Sequence, residues 1–255
     1  MKVLNVILIS AMSILLFAGV SSATFINPLG GGNGSESSLQ IILNNITAPY
    51  PGTSSVDASG DTNDAIADLN DSLWKITGSG GSFAQVVIEI AGNAAGNTFG
   101  IYDAANSANR VQLFSGDATA GTKTVVSILA DGSVEVGLID TGVNFAGNSF
   151  GYYLQGPGGI FFSDTGLNGD KLDHMVAFQG KNIDTIKVGN TSPGIWSDNE
   201  FILGWEDVSG LGDKDYNDFV LIVESVQPVP EPVSMLLFGT GLVGLGGYVR
   251  RRFKK

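Results

Sequence analysis

The sequence predicts an all-β fold, a β-sandwich or jelly-roll-like ectodomain with one short helix, flanked by an N-terminal signal helix and a C-terminal single transmembrane helix. Three observations carry this prediction. Short apolar or alternating runs follow one another from residue 39 to residue 226, separated by Gly, Asn and Asp turns, which is the spacing of a sandwich. No repeat of fixed period supports a solenoid or a propeller. Cysteine is absent, so no disulfide, thiolate chemistry or cysteine metal site is available and the core must hold the fold.

At the amino end, Lys2 precedes the apolar run "VLNVILISAMSILLFAGV" and then Ser21, Ser22 and Ala23, small residues of the kind a signal peptidase reads. Residues 1–23 are therefore an export signal cut between Ala23 and Thr24. Residues 24–38, with "PLGGGNGSESS", read as a flexible lead-in. Residues 39–227 form the β-rich extracytoplasmic body. Strands are expected at "LQIIL", "FAQVVIEIAG", "NTFGIYD", "RVQLF", "TKTVVSILA", "VEVGLI", "FGYYLQ", "GIFFS", "HMVAFQ", "EFILGW" and "FVLIVESV". In "DTNDAIADLNDSLW", Ile66, Leu69 and Leu73 recur at helical spacing behind a cap at Asp61 or Thr62, which predicts a helix of about three turns. That helix would line up Asp64, Asp68 and Asp71 on a second, acidic face.

The carboxyl end has three successive parts. Pro228, Pro230 and Pro232 lack backbone donors, so residues 228–232 end the last strand as an extended spacer with Glu231 exposed in it. Residues 233–249 are an apolar span of 17 residues, about 25 Å as a helix and marginal for a bilayer core of about 30 Å. Residues 250–255 are basic, and Arg250, Arg251 and Arg252 act as the membrane stop on the cytoplasmic side. The tripeptide Pro230-Glu231-Pro232, the span and the basic end, in that order, resemble the PEP-CTERM sorting signal of Gram-negative bacteria. The resemblance implies an inner-membrane precursor recognised by an exosortase, loss of the tail, and passage of the body to the cell surface or exopolysaccharide matrix.

Between Thr24 and Pro232 there are 25 acidic and 7 basic residues, a formal charge of −18 against −12 for the whole chain. Such a body repels nucleic acid and anionic lipid and suits divalent cations. The loop "GDKDYNDF" places Asp213, Asp215 and Asn217 at the first, third and fifth positions of a calcium loop, with Asp218 beside them. It is not an EF-hand. Glu224, at the twelfth position, lies too far along a strand, and Asp218 stands where the sharp turn needs glycine. Glu206 and Asp207, from the end of the preceding strand, are the expected completing ligands, with Ca2+ as the ion.

A second acidic stretch, "SDTGLNGDKLDHM", sets Asp164, Asn168, Asp170 and Asp173 as a possible further cation site. Together with Trp205-Glu206-Asp207, the glycine-rich turn and Asp213-x-Asp215-Tyr216-Asn217-Asp218 before an apolar strand, it resembles the domain-of-unknown-function family numbered 4114 over residues 161–226. That resemblance implies a β-rich surface domain without a defined activity.

His174 is the only histidine, so a serine hydrolase, a His-ligated zinc site or a histidine base would all have to use it. The expected function is a non-enzymatic surface or biofilm-matrix protein that binds calcium, with signal peptidase and exosortase as processing partners and exopolysaccharide or other surface proteins as further partners. The alternative is a carbohydrate-binding module that stacks sugars on rings among Trp74, Tyr102, Tyr152, Tyr153, Trp196 and Trp205, and a third reading is a glycoside-active enzyme built on two carboxylates. Exposure of the six rings discriminates the first two.

Overall fold

The computed structural model describes residues 29, 36–60, 64–66, 68–78, 81–89, 96–116 and 118–230. The signal segment with Ala23 and Thr24, the pair Glu231 and Pro232, the span 233–249, and the basic end with Arg250, Arg251 and Arg252 lie outside the described residues. Among the described residues no helix is long and apolar enough to cross a membrane.

Two antiparallel sheets face each other. The six-stranded sheet runs β15 (Val226–Pro228), β1 (Trp74–Ile76), β8 (Ser149–Gly156), β3 (Thr98–Asp103), β4 (Asn106–Ser115), with β9 (Gly159–Phe162) also on β8. The seven-stranded sheet runs β10 (Met175–Gln179), β13 (Glu200–Trp205), β14 (Phe219–Glu224), β2 (Ser82–Glu89), β5 (Lys123–Ile128), β6 (Ser133–Val136), β7 (Ile139–Asn144). Their inner faces share one core, in which Trp74, Phe99, Ile101, Phe150 and Tyr152 from the first meet Met175, Phe201, Leu203, Trp205, Phe219 and Leu221 from the second. Trp74 joins the sheets edge-on, with ring centroids 5.7 Å from Tyr152 and 4.9 Å from Phe201.

A third layer explains why "MVAFQ", "EFILGW" and "FVLIV" are apolar almost throughout instead of alternating. Val176, Phe178, Ile202, Val220 and Ile222 point out of the sandwich and are covered by helix α1 (Leu39–Ile46) and by an arm built on β11 (Thr185–Ile186) and β12 (Gly194–Ile195). Strands buried on both faces have no polar face to alternate with.

Helix α1 stands where "LQIIL" predicts a strand. Leu39, Ile42, Leu43 and Ile46 are its buried residues, the i, i+3, i+4, i+7 set of one helical face, and Ser38 caps it by accepting from the Ile41 amide. The period shows only when the run is followed to Ile46. Conversely, of the three-turn helix expected over residues 61–74, the described residues form a single turn, α2 (Asp68–Asp71). Before it the chain is extended: Ala65 bridges to Phe178 and the Ile66 amide donates to Ala177 O. Asp64 is held by Lys181 at 2.6 Å and by the Asp57 amide, so the expected acidic face does not form. Ile66 packs on the inter-sheet core as part of a strand-like edge, and sheet contact outweighs a weak local helical signal.

Three further details shape the body. "VEVGLI" splits into β6 and β7 at Gly137 and Leu138, whose φ of 59° and 67° make the two-residue turn that matches strand twist. The run "FVLIVESV" breaks at Ser225 (φ 60°), where the chain leaves the seven-stranded sheet to add β15 to the edge of the other. Proline is tolerated on such an edge, so the polypeptide exits through Pro228 and the exposed Pro230 from the rim of the sandwich. On the outer face of the six-stranded sheet, Tyr102 lies opposite Gly151 and Tyr153 opposite Gly100, and a Cβ on Gly151 would come within 2.2 Å of the Tyr102 ring. The glycines open the space that buries both tyrosines.

Glu200 and Glu224 sit directly opposite on β13 and β14, beside a cavity of ≈ 210 Å³ under the arm. Burial, and then the neighbouring Glu200 carboxylate, raise the Glu224 pKa. A carboxyl raised on folding stabilises the fold below its unfolded pKa and loses that contribution as pH rises through the folded value. Glu224→Gln is therefore expected to leave stability at pH 4 nearly unchanged and to raise it at pH 8 by about 0.2–1 kcal/mol, the scale of a like-charge cross-strand pair. Urea melts at the two pH values check this.

Candidate cation site

The site is built on the loop 206–218, which connects Trp205 of β13 to its partner Phe219 of β14. The loop folds over the outer face of the sheet beside α1: Tyr216 is 1 % exposed, and Gly204 beneath it lies against both Tyr216 and Leu39. Its backbone is unusual, with φ of 84° at Gly210, 68° at Leu211, 47° at Gly212, 64° at Lys214 and 53° at Tyr216. Left-handed non-glycine residues cost about 1–3 kcal/mol each and persist only where surrounding contacts impose them. Here Tyr216 is imposed from both ends, since its amide donates to Glu206 Oε1 at 2.8 Å and its hydroxyl to Asp173 O at 2.8 Å.

Positive φ at Gly212, Lys214 and Tyr216 alternates with Asp213 and Asp215, and Asn217 follows directly. Asp213 and Asp215 bring carboxylate oxygens within 4.8 Å of each other and of a third, from Glu36. Asp215 and Asn217 are buried, while Asp213 and Glu36 are exposed. The Asn217 Nδ2 donates to Asp215 Oδ2 at 2.6 Å and to Ser37 O at 2.9 Å, and its Oδ1 is buried without a partner.

The other sequence-predicted ligands brace the loop instead of joining this group. Glu206 is occupied with the Tyr216 amide, Asp218 Oδ2 accepts from the Asp207 amide at 3.0 Å, and Asp207 Oδ2 accepts from Asn97 Nδ2 at 3.0 Å. Burial, and then the charges of Asp218, Asp215 and Asp213, push the Glu206 pKa up to about 8 against the Tyr216 hydrogen bond. Burial and the carboxylates Asp207, Asp215 and Asp213 push Asp218 up to about 7, and burial, then Asp213 and Glu36, push Asp215 up to about 6. Among the described residues the two ion pairs are His174–Asp170 and Lys181–Asp64, so no Lys or Arg compensates this loop by an ion pair. Uncompensated carboxylates raised in this way favour a proton or a cation.

The second acidic stretch is a brace as well. Asp164 accepts from the Gly166 amide at 2.8 Å to cap the 3-10 turn Thr165–Leu167. Asn168 is buried with its amide group bonded to Phe162 and Leu172. Asp173 accepts from the Met175 amide at 3.1 Å. Burial opposes ionisation of Asp170, but bonds from Gly210, His174 and Leu172 more than offset it and hold the pKa below the usual carboxylate range. These four residues do not form a group of converging carboxylates among the described residues. His174 is 0 % exposed, stacked on Phe161 at 3.8 Å, with Nδ1 on Glu206 O at 3.1 Å and Nε2 on Asp170 Oδ2 at 3.0 Å. Both ring nitrogens are spent in tying the 164–173 stretch to the loop.

Sequence reasoning found Asp213, Asp215 and Asn217 from their spacing but not Glu36, which it assigned to a flexible lead-in. The described part of that lead-in is anchored: Leu29 is buried and bridges Gly60, and Ser37 O receives Asn217. No local signal marks Glu36, because its partners are about 180 positions away.

Comparison with known proteins finds two families. The one described as Domain of unknown function (DUF4114) matches residues 118–226, and the PEP-CTERM protein-sorting motif matches residues 228–252. The first match begins well before residue 161, where the resemblance read from the sequence starts. No curated protein and no solved structure matches the chain. The chain thus carries a DUF4114 domain, to which the acidic loop belongs, followed by a PEP-CTERM sorting motif, and is a protein sorted to the cell surface through an exosortase.

Proposed function

We propose that the protein is a non-enzymatic component of the cell surface or the exopolysaccharide matrix of a biofilm, and that it binds Ca2+ at the 213–217 loop. The observation that carries the calcium reading is the convergence of Asp213, Asp215 and a third carboxylate, together with the unpartnered buried Oδ1 of Asn217, whose Nδ2 donates to Asp215, and with no Lys or Arg ion-paired to the loop among the described residues. Oxygen ligands on a loop of this kind suit the adaptable shell of Ca2+ better than the strict octahedron of Mg2+. Glu206, Asp207 and Asp218 hold the loop in shape.

A matrix role in preference to sugar recognition is supported by the rings: Trp74, Tyr102, Tyr152, Tyr153, Trp196 and Trp205 are each 5 % exposed or less, so none offers a face to a sugar. The fixed engagement of both His174 nitrogens supports a structural role for the single histidine.

The test is thermal melting in calcium, magnesium and sodium at matched ionic strength, for the protein and for the double variant Asp213→Asn, Asp215→Asn. Calcium at a hundredfold excess over its dissociation constant is expected to add about 2.7 kcal/mol, and magnesium less. The double variant is expected to lose the calcium increment. Equal shifts with all three salts would reduce the loop to an acidic turn that responds to screening alone.

A further inference from the structure

Resting on the reading of the 213–217 loop as a calcium site, we propose that Glu36 is a further ligand and that the ion is a clasp closing residues 36–38, at the foot of α1, onto the β13–β14 loop. The separations are short enough for one ion to touch all three carboxylates. Oxygens of Glu36, Asp213 and Asp215 all lie within 4.8 Å of one another. Calcium–oxygen bonds of about 2.3–2.6 Å place ligands on opposite sides of one ion about 5 Å apart.

Asn217 supplies the second, independent observation. Its Nδ2 has two protons, and both are spent, one on Ser37 O and one on Asp215 Oδ2. Flipping the amide would set its oxygen against those two acceptors, so the hydrogen-bond network assigns its orientation. Oδ1 is then a fully buried acceptor without a donor, on the side chain that already links the lead-in to Asp215. A cation satisfies it; leaving it bare costs free energy.

The clasp has a mechanical consequence. Without a cation, three like charges oppose the approach of residue 36 to the loop, and the Ser37–Asn217 bond acts against them. With it, the start of α1 is pinned to the loop between β13 and β14 of the seven-stranded sheet, and with it the N-terminal edge of the cluster that contains Leu39, Tyr216 and Val220.

The experiment is calorimetric titration of the protein with CaCl2, repeated for Glu36→Gln and for Asp198→Asn, an exposed change that removes the same charge elsewhere. Glu36→Gln is expected to weaken binding roughly tenfold or more, as loss of one charged ligand does, and Asp198→Asn to leave it nearly unchanged. Hydrogen exchange gives the second readout: calcium should protect amides of residues 38–43 as well as those of 213–217 in the parent, and only the loop amides in Glu36→Gln. If the parent binds no calcium, the loop reading and the clasp fall together. If the parent binds and Glu36→Gln binds equally well, or residues 38–43 gain no protection, the clasp falls and the loop reading stands.

Discussion

A fragment limited to residues 118–226 is expected not to fold, although it spans the whole DUF4114 match. It lacks β2, which lies between β14 and β5, so the seven-stranded sheet would be cut into two unconnected parts. It also lacks β1, β3 and β4, leaving β8 and β9 with the start of β15 as the remnant of the opposing sheet. With them go Trp74, Phe99, Ile101, Val111 and Phe114 from the shared core. Each large buried side chain removed costs about 3–5 kcal/mol, and a domain holds only about 5–15 kcal/mol in all. Helix α1 is missing too, which removes Leu39, Ile42, Leu43 and Ile46 from the cluster on the outer face of the seven-stranded sheet. The expected result is a fragment without a cooperative urea transition, whereas residues 29–230 unfold in one. A cooperative transition from the fragment would show that the 118–226 segment closes its own core by a different pairing.

The second large effect is on sorting. Surface-extracted protein is expected to lack residues 250–255 when the host carries an exosortase, and Glu231→Ala is expected to remain in the inner membrane. The described structure favours access to this motif, because β15 is an edge strand and Pro230, the first residue of the tripeptide, is exposed beyond it. Mass spectrometry of the surface fraction, with membrane fractionation of the variant, reads both outcomes. An intact basic end on the mature surface form, or normal release of Glu231→Ala, would exclude processing at this motif.

Some of this molecule was legible in the chain because the information is local. The sorting motif is a contiguous order of proline spacer, apolar span and basic end, and its physical roles follow from residue types alone. The strands from "NTFGIYD" to "FVLIV" were legible because β-branched and aromatic runs between turn residues form strands wherever a sheet can receive them. Asp213, Asp215 and Asn217 stood out as candidate ligands by alternation within five residues, and the fold brings the first two together.

Tertiary structure decided the rest. Residues 64–66 carry a helical pattern, yet they run extended because Ala65 and Ile66 pair with β10. Residues 39–43 read as a strand, yet they form α1 because the outer face of the seven-stranded sheet offers a surface that a helix with Leu39, Ile42, Leu43 and Ile46 covers. The six aromatic rings could have been a sugar platform by composition; packing between two sheets, under the arm and over glycines buried them all. Glu36 is the sharpest case. Only the fold brings it to Asp213 and Asp215, because packing of α1 beside Tyr216 sets the foot of the helix against the loop, and no pattern within a few residues encodes a contact made across 180 positions.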